Sequence, residues 1–185
     1  MKALNKLLFK VLIFTLVSFV VSNLGCQSDT PSSPSSNLQE MQQSSQIHFL
    51  YTKGIHFNKA FKTEQLITES AGGTIIVGDE TSGYSSLNFM PGDLNNNTMI
   101  TFRWDTDNYI AEFAPHGIYF NNPVRLDMSY KTADLSAINE ETLRIWYYNE
   151  NEQAWELIGG EVNTEEQEVS AYINHFSRYA LAGED

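Results

Sequence analysis

From Ile47 onward the chain alternates apolar and polar positions with a period of two, and no segment sustains a helical period over three turns. Val124, Leu126, Met128 and Tyr130 fall on one face of a predicted strand, with Arg125, Asp127, Ser129 and Lys131 on the other. Ile100, Phe102 and Trp104 alternate with Met99, Thr101 and Arg103. Leu143, Ile145 and Tyr147 alternate with Arg144, Trp146 and Tyr148, and Val169, Ala171 and Ile173 with Ser170, Tyr172 and Asn174. Turn-forming residues stand between these runs: Gly72-Gly73, Pro91-Gly92-Asp93, Asn95-Asn96-Asn97, Asn121-Asn122-Pro123, Asn149-Glu150-Asn151-Glu152 and Gly159-Gly160. Short strands punctuated at this spacing predict an all-β fold, an antiparallel β-sandwich. Residues 134–141 are expected to form one short helical turn. Residues 47–51 read as a strand whose partner the pattern does not name.

The chain before Ile47 follows other rules. Lys2, Lys6 and Lys10 precede an apolar run over residues 11–21, whereas a helix needs about 20 residues to span a bilayer. A basic segment followed by a short apolar run reads as a secretory signal peptide. It ends in Asn23-Leu24-Gly25-Cys26 and resembles a bacterial lipoprotein signal, with Asn23 where such signals usually carry Leu. The resemblance implies that Cys26 is lipidated and becomes the new N-terminus. Two acyl chains, at ~0.8 kcal/mol per buried CH2, make a stable anchor. Residues 27–46 contain seven Ser, five Gln and two Pro, too little apolar surface to offset chain entropy, and read as a flexible, disordered tether.

Charge and cysteine usage narrow the partners. The 185 residues carry 23 acidic and 11 basic side chains for a net charge of -12, and the leader holds three of the lysines and no acid. A field of this sign repels phosphate backbones, so no nucleic acid is expected as a partner, and docking by charge on anionic lipid is disfavoured. The length suits one domain with a core large enough to stand without disulfides. Cys26 is the single cysteine, which excludes a disulfide framework, CxxC redox chemistry and thiolate zinc sites.

Four motifs, in order over roughly residues 70–181, resemble the ZU-five domain, the module of zonula-occludens and Unc-five proteins. Gly72-Gly73-Thr74-Ile75 opens a strand and is followed by Leu87-Asn88-Phe89-Met90-Pro91-Gly92-Asp93-Leu94; the family usually has Pro-Pro-Gly-Ala-Leu, so Met90 and Asp93 depart from it. Pro115-His116-Gly117-Ile118-Tyr119-Phe120-Asn121-Asn122-Pro123-Val124 resembles its Gly-x-x-Phe-x-x-Pro-Val segment. Trp155, within Gln153-Ala154-Trp155-Glu156-Leu157, and the closing His175-Phe176-Ser177-Arg178-Tyr179-Ala180 also fit. The resemblance implies a β-sandwich interaction module without a cofactor. His175-Phe176-Ser177 further matches the tripeptide at which some ZU-five domains and certain nucleoporins cut themselves between Phe and Ser.

Each candidate chemistry has a plainer reading beside it. Asp105-Thr106-Asp107-Asn108 begins like a calcium loop, but Tyr109 and Ile110 stand where a ligand and a glycine belong. Asn149-Glu150-Asn151-Glu152 fails in the same way, so both are expected as polar hairpin tips. The four histidines, His48, His56, His116 and His175, are scattered, and no metal is expected. Trp146 and Tyr148 are expected to face outward as a weak sugar-stacking or protein-docking pair, unless a loop or the 47–62 segment covers them. No Gly-x-Ser-x-Gly elbow is present. For self-cleavage, His175 would act as base, Ser177 as nucleophile and Phe176 would supply the carbonyl. An unbroken strand puts His175 and Ser177 together on the buried face, whereas a bulge turns Phe176 inward.

The expected organisation is a lipoprotein signal peptide over 1–25, Cys26 with its tether over 26–46, an N-terminal strand region over 47–69 and the ZU-five-like sandwich over 70–185. The expected function is that of an envelope lipoprotein, periplasmic or surface-exposed. Its lipid anchor holds it to the membrane, and a non-catalytic sandwich contacts an envelope or cell-surface protein. A self-cleaving domain and a carbohydrate-binding module are the alternatives.

Overall fold

The computed structural model describes residues 46–54 and 60–185. The signal peptide, Cys26, the tether up to residue 45 and His56 lie outside the described residues. The alternating runs form twelve strands: β1 Ile47–Phe49, β2 Ala60–Ile67, β3 Gly73–Asp79, β4 Gly83–Phe89, β5 Thr98–Asp105, β6 Ile110–Ala114, β7 Tyr119–Ser129, β8 Arg144–Asn149, β9 Ala154–Gly159, β10 Glu161–Asn163, β11 Glu168–His175 and β12 Arg178–Glu184. The helical turn expected over 134–141 falls at its end, as a single 3-10 turn over Glu140–Thr142 in which the Glu141 N–H donates to the Asn139 side chain.

Two antiparallel sheets result. One runs β2-β5-β6-β12-β8-β9, with β1 also on β12, and the other runs β10-β11-β7-β4-β3. β1 answers the question of its partner: it pairs with the C-terminal strand, Ile47 opposite Glu184 and Phe49 opposite Ala182. β2 lies along the whole of β5 as an edge strand. β1 and β2 are thus part of the sandwich.

The inward faces are the apolar faces of the sequence pattern. Ile100, Phe102, Trp104, Val124, Leu126, Met128, Tyr130, Leu143, Ile145, Val169 and Ile173 are fully or almost fully buried. Removing about 25 cal/mol of transfer free energy per Å2 of apolar surface from water is what holds the two layers together. Outward residues are polar in most positions. On β7, Asp127 accepts from Arg125, Ser170 and Ser86, a cross-strand network on the second sheet's open face.

The chain repeatedly changes sheet, and the glycine pairs mark two of these corners. Gly72, at φ +67, leads from β2 to β3, and a Cβ there would sit 2.2 Å from the Phe89 carbonyl oxygen. Gly159-Gly160 carries β9 directly into β10 of the other sheet. One turn signal is corrected. Asn121-Asn122-Pro123 does not separate strands; it lies inside β7 as a bulge, where pairing with β11 jumps from Val124–Ile173 to Tyr119–His175. The bulge persists because the loop before β5 holds it. The Asn121 N–H donates to the Asp93 carbonyl and the Asn122 amide to the Asp93 carboxylate.

Candidate functional site

The β11–β12 corner gathers most of the chemistry. Strand β11 ends at His175 and β12 starts at Arg178 in the other sheet, so Phe176-Ser177 is the two-residue crossing. Because the register shifts between Ile173 and His175, side-chain parity breaks and Phe176 turns into the core. Its ring meets Phe89, Phe113 and Phe120 at centroid distances of 6.1, 6.2 and 4.9 Å. Its N–H donates to the Ile118 carbonyl at 3.0 Å. This is the bulged arrangement, and it overturns the simple parity that would place His175 and Ser177 side by side on the buried face. Phe89, Phe120 and Phe176, from three separate sequence segments, thus meet at one point of the core.

His175 and Ser177 keep separate company. The Tyr179 hydroxyl lies 2.6 Å from the His175 carbonyl oxygen and 3.2 Å from His175 Nδ1. A carbonyl only accepts, so the phenolic proton serves it, and the contact to Nδ1 is then satisfied by the tautomer protonated at Nδ1, which donates to the Tyr179 oxygen. In that tautomer the neutral ring has a bare Nε2. Burial favours that neutral form by pushing the His175 pKa below 6.5. The Ser177 hydroxyl donates to the Tyr148 carbonyl at 3.4 Å, and the Ser177 carbonyl accepts from Phe113. Neither Phe176 nor Ser177 occupies a positive-φ conformation.

Around His175 stands a ring of tyrosines that sequence reading missed. Tyr119 stacks on the imidazole at 5.2 Å with planes 18° apart, and Tyr147 meets it edge-on at 5.4 Å. The Tyr147 hydroxyl donates to Glu156 at 2.9 Å, and that carboxylate raises the Tyr147 pKa. Asn149 donates to the other Glu156 oxygen, so each oxygen of this carboxylate accepts from a neighbour. Burial raises the Tyr179 pKa. A cleft of about 440 Å3 opens here, walled by the β6–β7 loop at His116, the β8–β9 tip and the β11–β12 corner. Nothing in sequence spacing links Tyr119, Tyr147 and His175, because the link is sheet pairing.

Trp146 and Tyr148 do lie on the outer face, half-buried and in company. Phe49 of β1 packs on Trp146 and Trp155 at 6.4 and 5.3 Å, and Tyr148 meets Trp155 at 5.2 Å. The Arg178 guanidinium sits 4.6 Å from the Tyr148 ring centroid. Between β1 and β8, β12 presents only Ala180 and Ala182 on this face, and these small residues let the rings close over the sheet. The Trp146 Nε1 is buried without a hydrogen bond. Beside the cluster Leu157 is 58% and Ile47 42% exposed. Strand β9 is a sheet edge with Leu157 and Ile158 both exposed.

The two acidic loops close as hairpin tips. Asp105 accepts from the N–H groups of Asp107 and Asn108, and Asn149 from those of Asn151 and Glu152. A larger groove of about 580 Å3 runs along β10, where Arg125 is held by Asp127 and Ser170. Among the described residues no helix is long and apolar enough to cross a membrane. The chain matches no family model and no curated protein.

Proposed function

We propose that this is an envelope lipoprotein whose β-sandwich is a non-catalytic, ZU-five-like interaction module, docking a second protein through the aromatic outer face beside β9. The observation that carries the reading is the apolar continuity of Ile47, Phe49, Trp146, Trp155 and Leu157, ending on a strand with one unpaired backbone edge. Patches of this kind on a sheet edge are where partner strands and loops add. The separate partners of His175 and Ser177 favour the non-catalytic reading over self-cleavage, since no base stands on the nucleophile. The meeting of three motifs at Phe176 supports the family reading. The leader and Cys26 support the anchor.

The test is cross-linking in intact cells. A photo-reactive residue at position 157 is expected to trap a protein adduct. One at Tyr84, equally exposed on the other sheet, is expected to trap none. Equal labelling at both positions, or none at 157, refutes the docking face. In parallel, Cys26→Ser is expected to move the protein out of the membrane fraction; retention through a high-salt wash refutes the anchor.

A further inference from the structure

The cleft at the loop end is chemically different from the docking face. Tyr119 gives one ring face to His175, yet it is 67% exposed. Among the described residues no hydrogen bond uses the Tyr119 hydroxyl, the Tyr148 hydroxyl or His175 Nε2. The site thus offers one hydroxyl that both donates and accepts, on Tyr119, and one acceptor, on His175, beside aromatic walls. Its volume of about 440 Å3 lies within the roughly 300–1,000 Å3 of small-ligand sites.

Charge selects among ligands. The one nearby guanidinium, Arg178, is on the Tyr148 ring, and the carboxylate deepest in the cluster, Glu156, is taken by Tyr147 and Asn149. Among the described residues the basic side chains at the cleft are engaged, Arg178 on the Tyr148 ring and His116 4.0 Å from Glu112, and the chain is acidic, so an anion is disfavoured. A cation finds no uncommitted carboxylate except Glu150 at the hairpin tip, and Tyr119 has already given one face to the imidazole. What fits is a neutral ligand with an apolar C–H face for the phenol ring and hydroxyls that donate and accept at its rim.

We propose that this cleft is a binding site for a neutral oligosaccharide, one sugar residue stacked on the open face of Tyr119 and the next directing a hydroxyl to His175 Nε2. Tyr148 is one of the two rings the sequence suggests for sugar stacking; the other, Trp146, lies outside this cleft. The bare Nε2 follows from the Tyr179–His175 arrangement, so Tyr179 is a positioning residue for the site.

The experiment is a glycan array carrying neutral and acidic oligosaccharides, probed with the full chain in detergent. Retention on neutral glycans is expected, with titration of the best of them against Tyr119→Ala showing about a tenfold weaker Kd. Tyr119→Ala removes an exposed ring, and an unchanged melting temperature shows that it still folds. Tyr179→Phe is expected to weaken binding and to shift the His175 imidazole resonances of the free protein. Leu157→Asp, which disables the docking face, is expected to leave glycan affinity unchanged, so the two readings fail separately. No retained glycan, retention of acidic glycans only, capture by Leu157-dependent protein contact alone, or an unaltered Kd in Tyr119→Ala overturns the proposal.

Discussion

Asp93 shows how one residue can carry a local fold. It is buried, and its carboxylate accepts the Met90 N–H at 2.6 Å and the Asn122 amide at 3.0 Å. It thereby ties the Pro91-Gly92 loop to the β7 bulge that seats Phe176. Asp93→Ala leaves two donors without partners and is expected to lower stability by roughly 2–3 kcal/mol in a urea titration. A loss near zero shows that water replaces the carboxylate. His175 gives a second prediction at this scale. Burial lowers its folded pKa below 6.5, so at pH values between the two the unfolded chain holds a proton the folded chain refuses. Stability from this group is complete above the unfolded pKa and declines as pH falls from 6.5 toward the lowered value. Comparing urea midpoints at about pH 7.5 and about pH 5.5, the native chain is expected to lose more than His175→Gln. Equal losses remove the assignment. Asp93 is visible in the sequence only as a turn residue after Pro91-Gly92, and its purpose becomes readable once Asn122 is found against it.

At the scale of elements, alternation is strong information. β5, β7, β8 and β11 are all legible because each buries one face, and a slip of one residue would expose the whole apolar set. The exceptions are physical as well. Asn121-Asn122-Pro123 has turn chemistry, and it does bend the chain, but as a bulge inside β7 with Asp93 as its clamp. β1 is three residues long with mixed polarity, and its existence rests on β12, more than a hundred residues away. Its contribution is testable. Phe49→Ala strips the ring from Trp146 and Trp155 and is expected to cost about 1–2 kcal/mol, since the ring is only partly buried. A red shift of tryptophan emission should accompany it. Unchanged emission means that β1 does not cover the cluster.

For the molecule as a whole, local chemistry in the chain determined a great deal. The basic-then-apolar pattern at the N-terminus, the Ser/Gln composition of residues 27–46, the acidic balance and the two-residue period depend on neighbours in sequence, and so does the expectation of two antiparallel layers. The fold class followed because strand burial acts residue by residue and needs no knowledge of which strand pairs with which. The site was a different matter. His175 was singled out with Ser177 two residues along, whereas the structure surrounds it with Tyr119 from β7, Tyr147 from β8 and Tyr179 from β12. Parity puts Trp146 and Tyr148 on the outer face, and strand order alone brings Phe49 and Trp155 beside them, so that the 47–62 segment partly covers the pair. Periodicity says which way a side chain faces. Only closure of the two sheets, with its sheet-switching corners and the register shift before His175, decides what it faces, because those contacts are set by the joint burial of segments far apart in the chain.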